Sequence, residues 1–160
     1  MLYSPDIIVT GYETPEILLV AEVKLLNGRR TEAESRLKMY MLQMRCPTGL
    51  LVTPDVIDVY RDRYIGHSAS SVERVGTFAA PKDWDSFKSA SHGLGRNAVH
   101  DPMRFEETVK SWLVLLANSP SEYLKELPKD VRDLLKNYVI PALTLGDVRL
   151  SGPRESLRLH

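Results

Sequence analysis

The chain has 160 residues, 43% hydrophobic and 26% charged. That is enough apolar material for a buried core, and it argues against wholesale disorder. Lys plus Arg equals Asp plus Glu, 21 each, which disfavours a free-standing nucleic-acid binder acting through net positive charge and leaves a segregated basic face as the alternative. One cysteine, Cys46, excludes an internal disulfide framework and a multi-cysteine zinc site, and fits a cytoplasmic protein.

Residues 6 to 10 are rich in β-branched side chains and predict a short strand. Turn residues follow, and residues 16 to 26 read as a long, mostly buried strand ended by Asn27-Gly28. Thr31 with Glu34 has the spacing of a capping box, and Ala33, Leu37, Tyr40, Met41 and Met44 recur at helical spacing behind it. Pro47-Thr48-Gly49 is expected to stop that helix. Leu50 to Thr53 and Val56 to Arg61 predict two strands, or one strand with an irregularity at Pro54-Asp55.

Glu73 to Ala80 reads as a further strand, and Ser86 to Asn97, rich in small residues, as a loop. Asp101-Pro102 opens a helix with Phe105, Val109, Trp112, Leu113 and Leu116 on one face. Ser119-Pro120 opens a short helix. Another starts at Pro128, carries Val131, Leu134, Leu135 and Tyr138, and is limited by Pro141. The expected fold class is α/β: a mixed sheet with flanking helices, in one domain over 1–150 with a core of 1–80, a helical part of 101–146 and an exposed tail of 151–160. The longest apolar runs, Ile17 to Ala21 and Trp112 to Ala117, fall far short of the roughly 18 residues that cross a bilayer. No basic start followed by a long apolar run marks a signal peptide.

Three residues carry the chemistry. Side chains alternate along a strand, so Glu22 and Lys24 share a face with Leu18 and Val20. Burying both without partners costs several kcal/mol, roughly. If the first two strands form a hairpin turning near residue 13 or 14, Asp6 falls opposite residue 21 or 22. Two carboxylates there suit a hard cation such as Mg²⁺ (or Mn²⁺), with the Val23 carbonyl as a third ligand. Lys24 would orient water or offset charge on a phosphate. Arg29 and Arg30 follow the motif strand and read either as contacts to DNA phosphates or as a solvated basic loop. Arg36, Tyr40 and Gln43 form a stripe along the following helix that can line the cleft.

Pro5-Asp6, then Glu22-Val23-Lys24, resembles the PD-(D/E)XK nuclease superfamily, of restriction-endonuclease-like fold. The likeness spans about residues 3 to 62 and looks closest to the nuclease region of type I restriction subunits. It includes the helix with Arg36 and Tyr40 and the following Thr48-Gly49-Leu50-Leu51-Val52. The resemblance implies Asp6 and Glu22 as metal ligands, Lys24 as catalytic amine, Tyr40 as a supporting residue and DNA as substrate. The balanced charge and small size further suggest work as a homo-oligomer or within a larger restriction or defence complex, where other parts supply DNA affinity. Arg36 stands where glutamine is common, and the helix that usually precedes the aspartate strand is not seen: either the chain is truncated, or the helices of residues 102 to 140 cover that sheet face, or a partner chain does. The rival expectation is a non-catalytic module of the same fold that binds partner proteins or DNA.

Other signals are weaker. His67, His92, His100 and His160 lack metal-ligand spacing, and Gly93-Leu94-Gly95 lacks the strand and lysine of a phosphate loop. Cys46 and Trp112 read as core residues.

Overall fold

The computed structural model describes residues 4–25, 30–91 and 102–151. The first two strands, β1 (Ile7–Gly11) and β2 (Ile17–Val23), form an antiparallel hairpin pairing Ile7 with Ala21. Helix α1 (Arg30–Met44) crosses over to β3 (Thr48–Val52), which lies parallel to β2 with Glu22 opposite Leu51. A turn through Thr53 reverses the chain into β4 (Val56–Asp62), antiparallel to β3. Then β5 (Val72–Ala79) pairs antiparallel to β4. Short helices follow: α2 (Asp85–Ser91), the long α3 (Pro102–Asn118), α4 (Pro120–Leu124), α5 (Lys129–Leu134) and α6 (Ile140–Leu145). A final strand, β6 (Gly146–Leu150), pairs antiparallel with β1. The described strands form one mixed six-stranded sheet in the order β5-β4-β3-β2-β1-β6.

The alternation of each strand divides two cores. Ile7, Val9, Leu19, Ala21, Leu50, Ile57 and Val59 point to the face covered by α3 and α6. There Trp84, Phe105 and Trp112 pack edge to face, with Trp84 5.4 Å from Phe105 and 5.7 Å from Trp112. The expected cover from the later helices is therefore present. Val20, Leu51 and Tyr60 point the other way, to Ala33, Leu37 and Met41 of α1. Gly49 permits that close approach, because a Cβ there would lie 2.5 Å from the Met41 sulfur. Trp112 and Cys46 are buried as expected, at 5% and 0% exposure.

Five expectations are corrected. β2 ends at Val23, three residues before the expected end, because its pairing with β3 stops at Val52. Helix α1 already includes Arg30, so Thr31 sits inside the first turn, and Glu34 accepts a hydrogen bond from the Tyr60 hydroxyl at 2.5 Å in place of a capping role. Thr48 and Gly49 belong to β3, and the helix stops instead where Arg45 turns left-handed. Residues 85–91, expected mostly as loop, are helical and bury Phe87 against Phe105, while residues 92–97 of that loop lie outside the described residues. Pro141 does not limit its helix. A π turn at Leu135–Val139 precedes it, and Pro141 takes the second position of α6, where a missing N–H is tolerated.

The strand Gly146–Leu150 has no counterpart in the sequence reading, which continued the helical part to residue 146. Of the expected tail, Ser151 is described: its N–H donates to the Asp6 carbonyl at 3.1 Å. No helix among the described residues is long and apolar enough to cross a membrane.

Candidate functional site

The hairpin brings Asp6 to Glu22. The Asp6 N–H donates to the Ala21 carbonyl at 3.1 Å, and its carboxylate Oδ2 accepts the Val23 N–H at 2.6 Å. Asp6 thus brackets Glu22 on the neighbouring strand. Both carboxylates are buried, at 3% and 2% exposure. The pairing of Ile7 with Ala21, carried back one residue, sets Asp6 across from Glu22 on the α1 face.

Glu22 holds two cations through one oxygen. Its Oε2 lies 3.6 Å from the Lys24 ammonium and 3.5 Å from the Arg36 guanidinium. Lys24 follows β2 directly, with its N–H donating to the Val52 carbonyl at 2.8 Å, and its side chain is about one-third exposed at 34%. Arg36 reaches down from the second turn of α1 and also lies 4.0 Å from Glu32. These pairs give one buried acid, Glu22, two partly exposed bases as partners, so its charge is not isolated.

The same row continues across the sheet. Glu22 is opposite Leu51, Leu51 opposite Asp58, and Asp58 opposite Thr77. Asp58 is fully buried, ion-pairs with Arg30, and accepts the Thr77 hydroxyl at 2.6 Å. Sequence reasoning missed Asp58. The signal was present in Val56-Ile57-Asp58-Val59-Tyr60, where strand alternation puts an acid and a tyrosine on the face opposite two buried apolar residues.

Of the expected site residues, Asp6, Glu22, Lys24 and Arg36 gather at one pole, where β2 ends and α1 begins. Arg30 stands at the same pole but spends its charge on Asp58. Tyr40 lies one turn beyond Arg36, packs on the α1 core, and burial raises its phenol above the usual tyrosine range. Arg29 lies outside the described residues.

The donor set tests the expected cation. The Val23 N–H turns to the Asp6 carboxylate, and the Val23 carbonyl is the backbone oxygen that follows it at the end of β2. Two carboxylates and one carbonyl are oxygen donors of the kind Mg²⁺ or Mn²⁺ accepts while keeping several waters. Among the described residues no three His, Cys, Asp or Glu side chains gather to hold a metal ion, so any ion here would rest on this smaller set. Compared with family models, curated proteins and solved structures, the chain matches none.

Proposed function

We propose that the protein is a metal-dependent nuclease with a restriction-endonuclease-like core, hydrolysing DNA phosphodiester bonds at the Asp6–Glu22–Lys24 pole. The observation that carries this reading is the bracketing of Glu22 by Asp6, which sets two buried carboxylates and the Val23 carbonyl on adjacent strands. Asp6, Glu22 and the Val23 carbonyl would hold Mg²⁺ or Mn²⁺. Such an ion, when bound, supplies positive charge that activates water and offsets the phosphate.

The chain's own residues do the rest. Lys24 is anchored by Glu22 yet partly open to solvent, so its ammonium can hold a water or a non-bridging phosphate oxygen. Arg36 adds a second positive charge beside it. Water attacks phosphorus, one bridging P–O bond breaks, and the leaving oxygen takes a proton. The products are one phosphate end and one hydroxyl end. With a formal net charge of zero, the domain would draw further DNA affinity from a second copy or from partner subunits of a restriction or defence complex.

One observation favours the rival reading, a non-catalytic module of the same fold. Glu22 is already neutralised by Lys24 and Arg36, so its burial is explained without a metal.

Cleavage of supercoiled plasmid in Mg²⁺ and in Mn²⁺ decides between them, with single-stranded RNA as a parallel substrate. The expected result is metal-dependent nicking that falls at least about 100-fold in Asp6→Asn, Glu22→Gln and Lys24→Met. Circular dichroism checks that each variant folds. No cleavage by the wild type, or equal cleavage by folded variants, rejects the catalytic reading.

A further inference from the structure

The far end of α1 closes a second cleft, of about 400 Å³. Helix α1 has 15 residues, about 22 Å at the usual helical rise, so this cleft and the carboxylate pole sit at opposite ends of the helix. Ile17 and Leu18 of β2 and Met44 of α1 supply apolar lining. Glu16, Arg45 and Tyr64 bring polar groups to it.

Two features set this cleft apart from ordinary surface. First, Arg45 and Tyr64 are the non-glycine residues with positive φ among those described, at 55° and 58°, and both line it. Arg45 occupies the left-handed position just past α1, where the Cys46 N–H closes the helix on the Met41 carbonyl at 2.9 Å. Glycine is the usual occupant of that position, because a Cβ is disfavoured there. An arginine held in this way lines the cleft at the expense of backbone comfort.

Second, the cleft carries unspent charges of both signs. Neither Glu16 nor Arg45 forms an ion pair among the described residues, and Glu16 accepts one long hydrogen bond of 3.4 Å from the Thr14 hydroxyl. Tyr64 adds a phenol whose proton is held more firmly than usual, by partial burial first and then by the negative Asp62 nearby.

A carboxylate, a guanidinium and a phenol around an apolar floor select a small molecule with an ammonium, a carboxylate and a hydrocarbon body. We propose that this cleft binds a free α-amino acid with an apolar side chain. Glu16 takes the ammonium, and Arg45 takes the carboxylate through paired N–H donors. The Tyr64 hydroxyl donates to the same carboxylate. The side chain lies on Ile17, Leu18 and the adaptable Met44. The volume suits a ligand of this size, being near the low end of small-molecule sites. An internal peptide segment lacks both charges and does not satisfy the cleft.

Calorimetry and amide NMR with L-leucine and L-phenylalanine test this, beside N-acetyl-L-leucine, which lacks the ammonium, and L-leucinamide, which lacks the carboxylate. Binding of at least one free amino acid is expected, with shifts at Ile17, Arg45 and Tyr64. Each blocked derivative should bind at least about tenfold more weakly. Glu16→Gln should weaken binding similarly. Arg45→Gly should abolish it while raising Tm, since glycine suits the left-handed position, so loss of binding is separated from loss of folding. No shifts with either amino acid up to about 10 mM, equal binding of the blocked forms, or retained binding by Arg45→Gly overturns the proposal.

Discussion

Arg30, the first residue of α1, ion-pairs with Asp58, a β4 carboxylate with no solvent exposure on the α1 face of the sheet. The pair is asymmetric. The Arg30 side chain is about one-third exposed, at 32%, and can turn to water when its partner is removed. Asp58 has no such escape and would keep only the Thr77 hydroxyl. Arg30→Ala should therefore cost about 3 kcal/mol, the order expected when a buried carboxylate loses its partner. Asp58→Asn should cost less, and Arg30→Ala/Asp58→Asn should be more stable than Arg30→Ala alone. Urea denaturation of the four proteins checks this, and a double variant no better than Arg30→Ala would refute the asymmetry.

Much of this architecture could be read from residues, and what could not has physical causes. The Asp6-to-Glu22 juxtaposition follows from strand alternation and a short turn, two local rules, and the hairpin register bears it out. The parallel relation of β2 and β3 follows from the helix between them. Asp58 was hidden because its importance lies in long-range pairing, with Arg30 28 positions away. The strand Gly146–Leu150 was hidden for a related reason. Gly-Asp-Val-Arg-Leu does alternate, but it is five residues long, opens on glycine and follows a helical run directly, and it becomes a strand where β1 offers an edge. Pro141 misled because the π turn before it adjusts the helix through a proline that local rules treat as a stop.

Two glycines should respond differently to alanine. A Cβ at Gly49 would meet the Met41 sulfur at 2.5 Å and Leu37 Cδ1 at 3.3 Å, both near the ends of movable side chains. Gly49→Ala should cost about 1–2 kcal/mol as Met41 repacks. A Cβ at Gly146 would meet the Thr10 backbone carbonyl at 2.6 Å and Val9 Cγ1 at 2.8 Å. Backbone within a paired strand yields less, so Gly146→Ala should destabilise more and loosen β6 from β1. Hydrogen exchange of the Val148 and Leu150 amides, with urea midpoints for both variants, checks the order.

Stability should fall in alkali through two buried groups. Burial pushes the Cys46 thiol up to about 12 from 9.0, despite its bond to the Thr48 carbonyl. Tyr60 is raised as well, by burial first and then by its hydrogen bond to Glu34. Both pKa values are higher in the folded chain than in the unfolded one, so above about pH 9 the unfolded chain binds fewer protons. Their contribution is whole below the unfolded values and is lost as pH rises towards the folded ones. Each titrating group adds a slope of about 1.4 kcal/mol per pH unit at most. Urea midpoints from pH 8 to 11 should decline, and the decline should be shallower in Cys46→Ala and in Tyr60→Phe. Parallel curves for wild type and both variants would contradict the assignment.

Arg36 and a divalent cation should compete for Glu22. The guanidinium sits 3.5 Å from Oε2, which also faces Lys24, so an arriving ion must share or displace positive charge. A partly exposed ion pair of this kind is worth up to about 1 kcal/mol. On the nuclease reading, Arg36→Ala should therefore tighten Mn²⁺ binding by up to about fivefold. Lys24→Met should tighten it comparably, yet only Lys24→Met should lose cleavage by orders of magnitude, because its ammonium is the one assigned to the reacting groups. Arg36→Ala should reduce cleavage less, since Lys24 still faces the phosphate. Mn²⁺ titration by calorimetry, run beside plasmid nicking on the same preparations, separates binding from turnover. If removal of either cation leaves Mn²⁺ affinity unchanged, Glu22 is not a metal ligand. Its pair with Arg36 then serves only to dock α1 on the sheet.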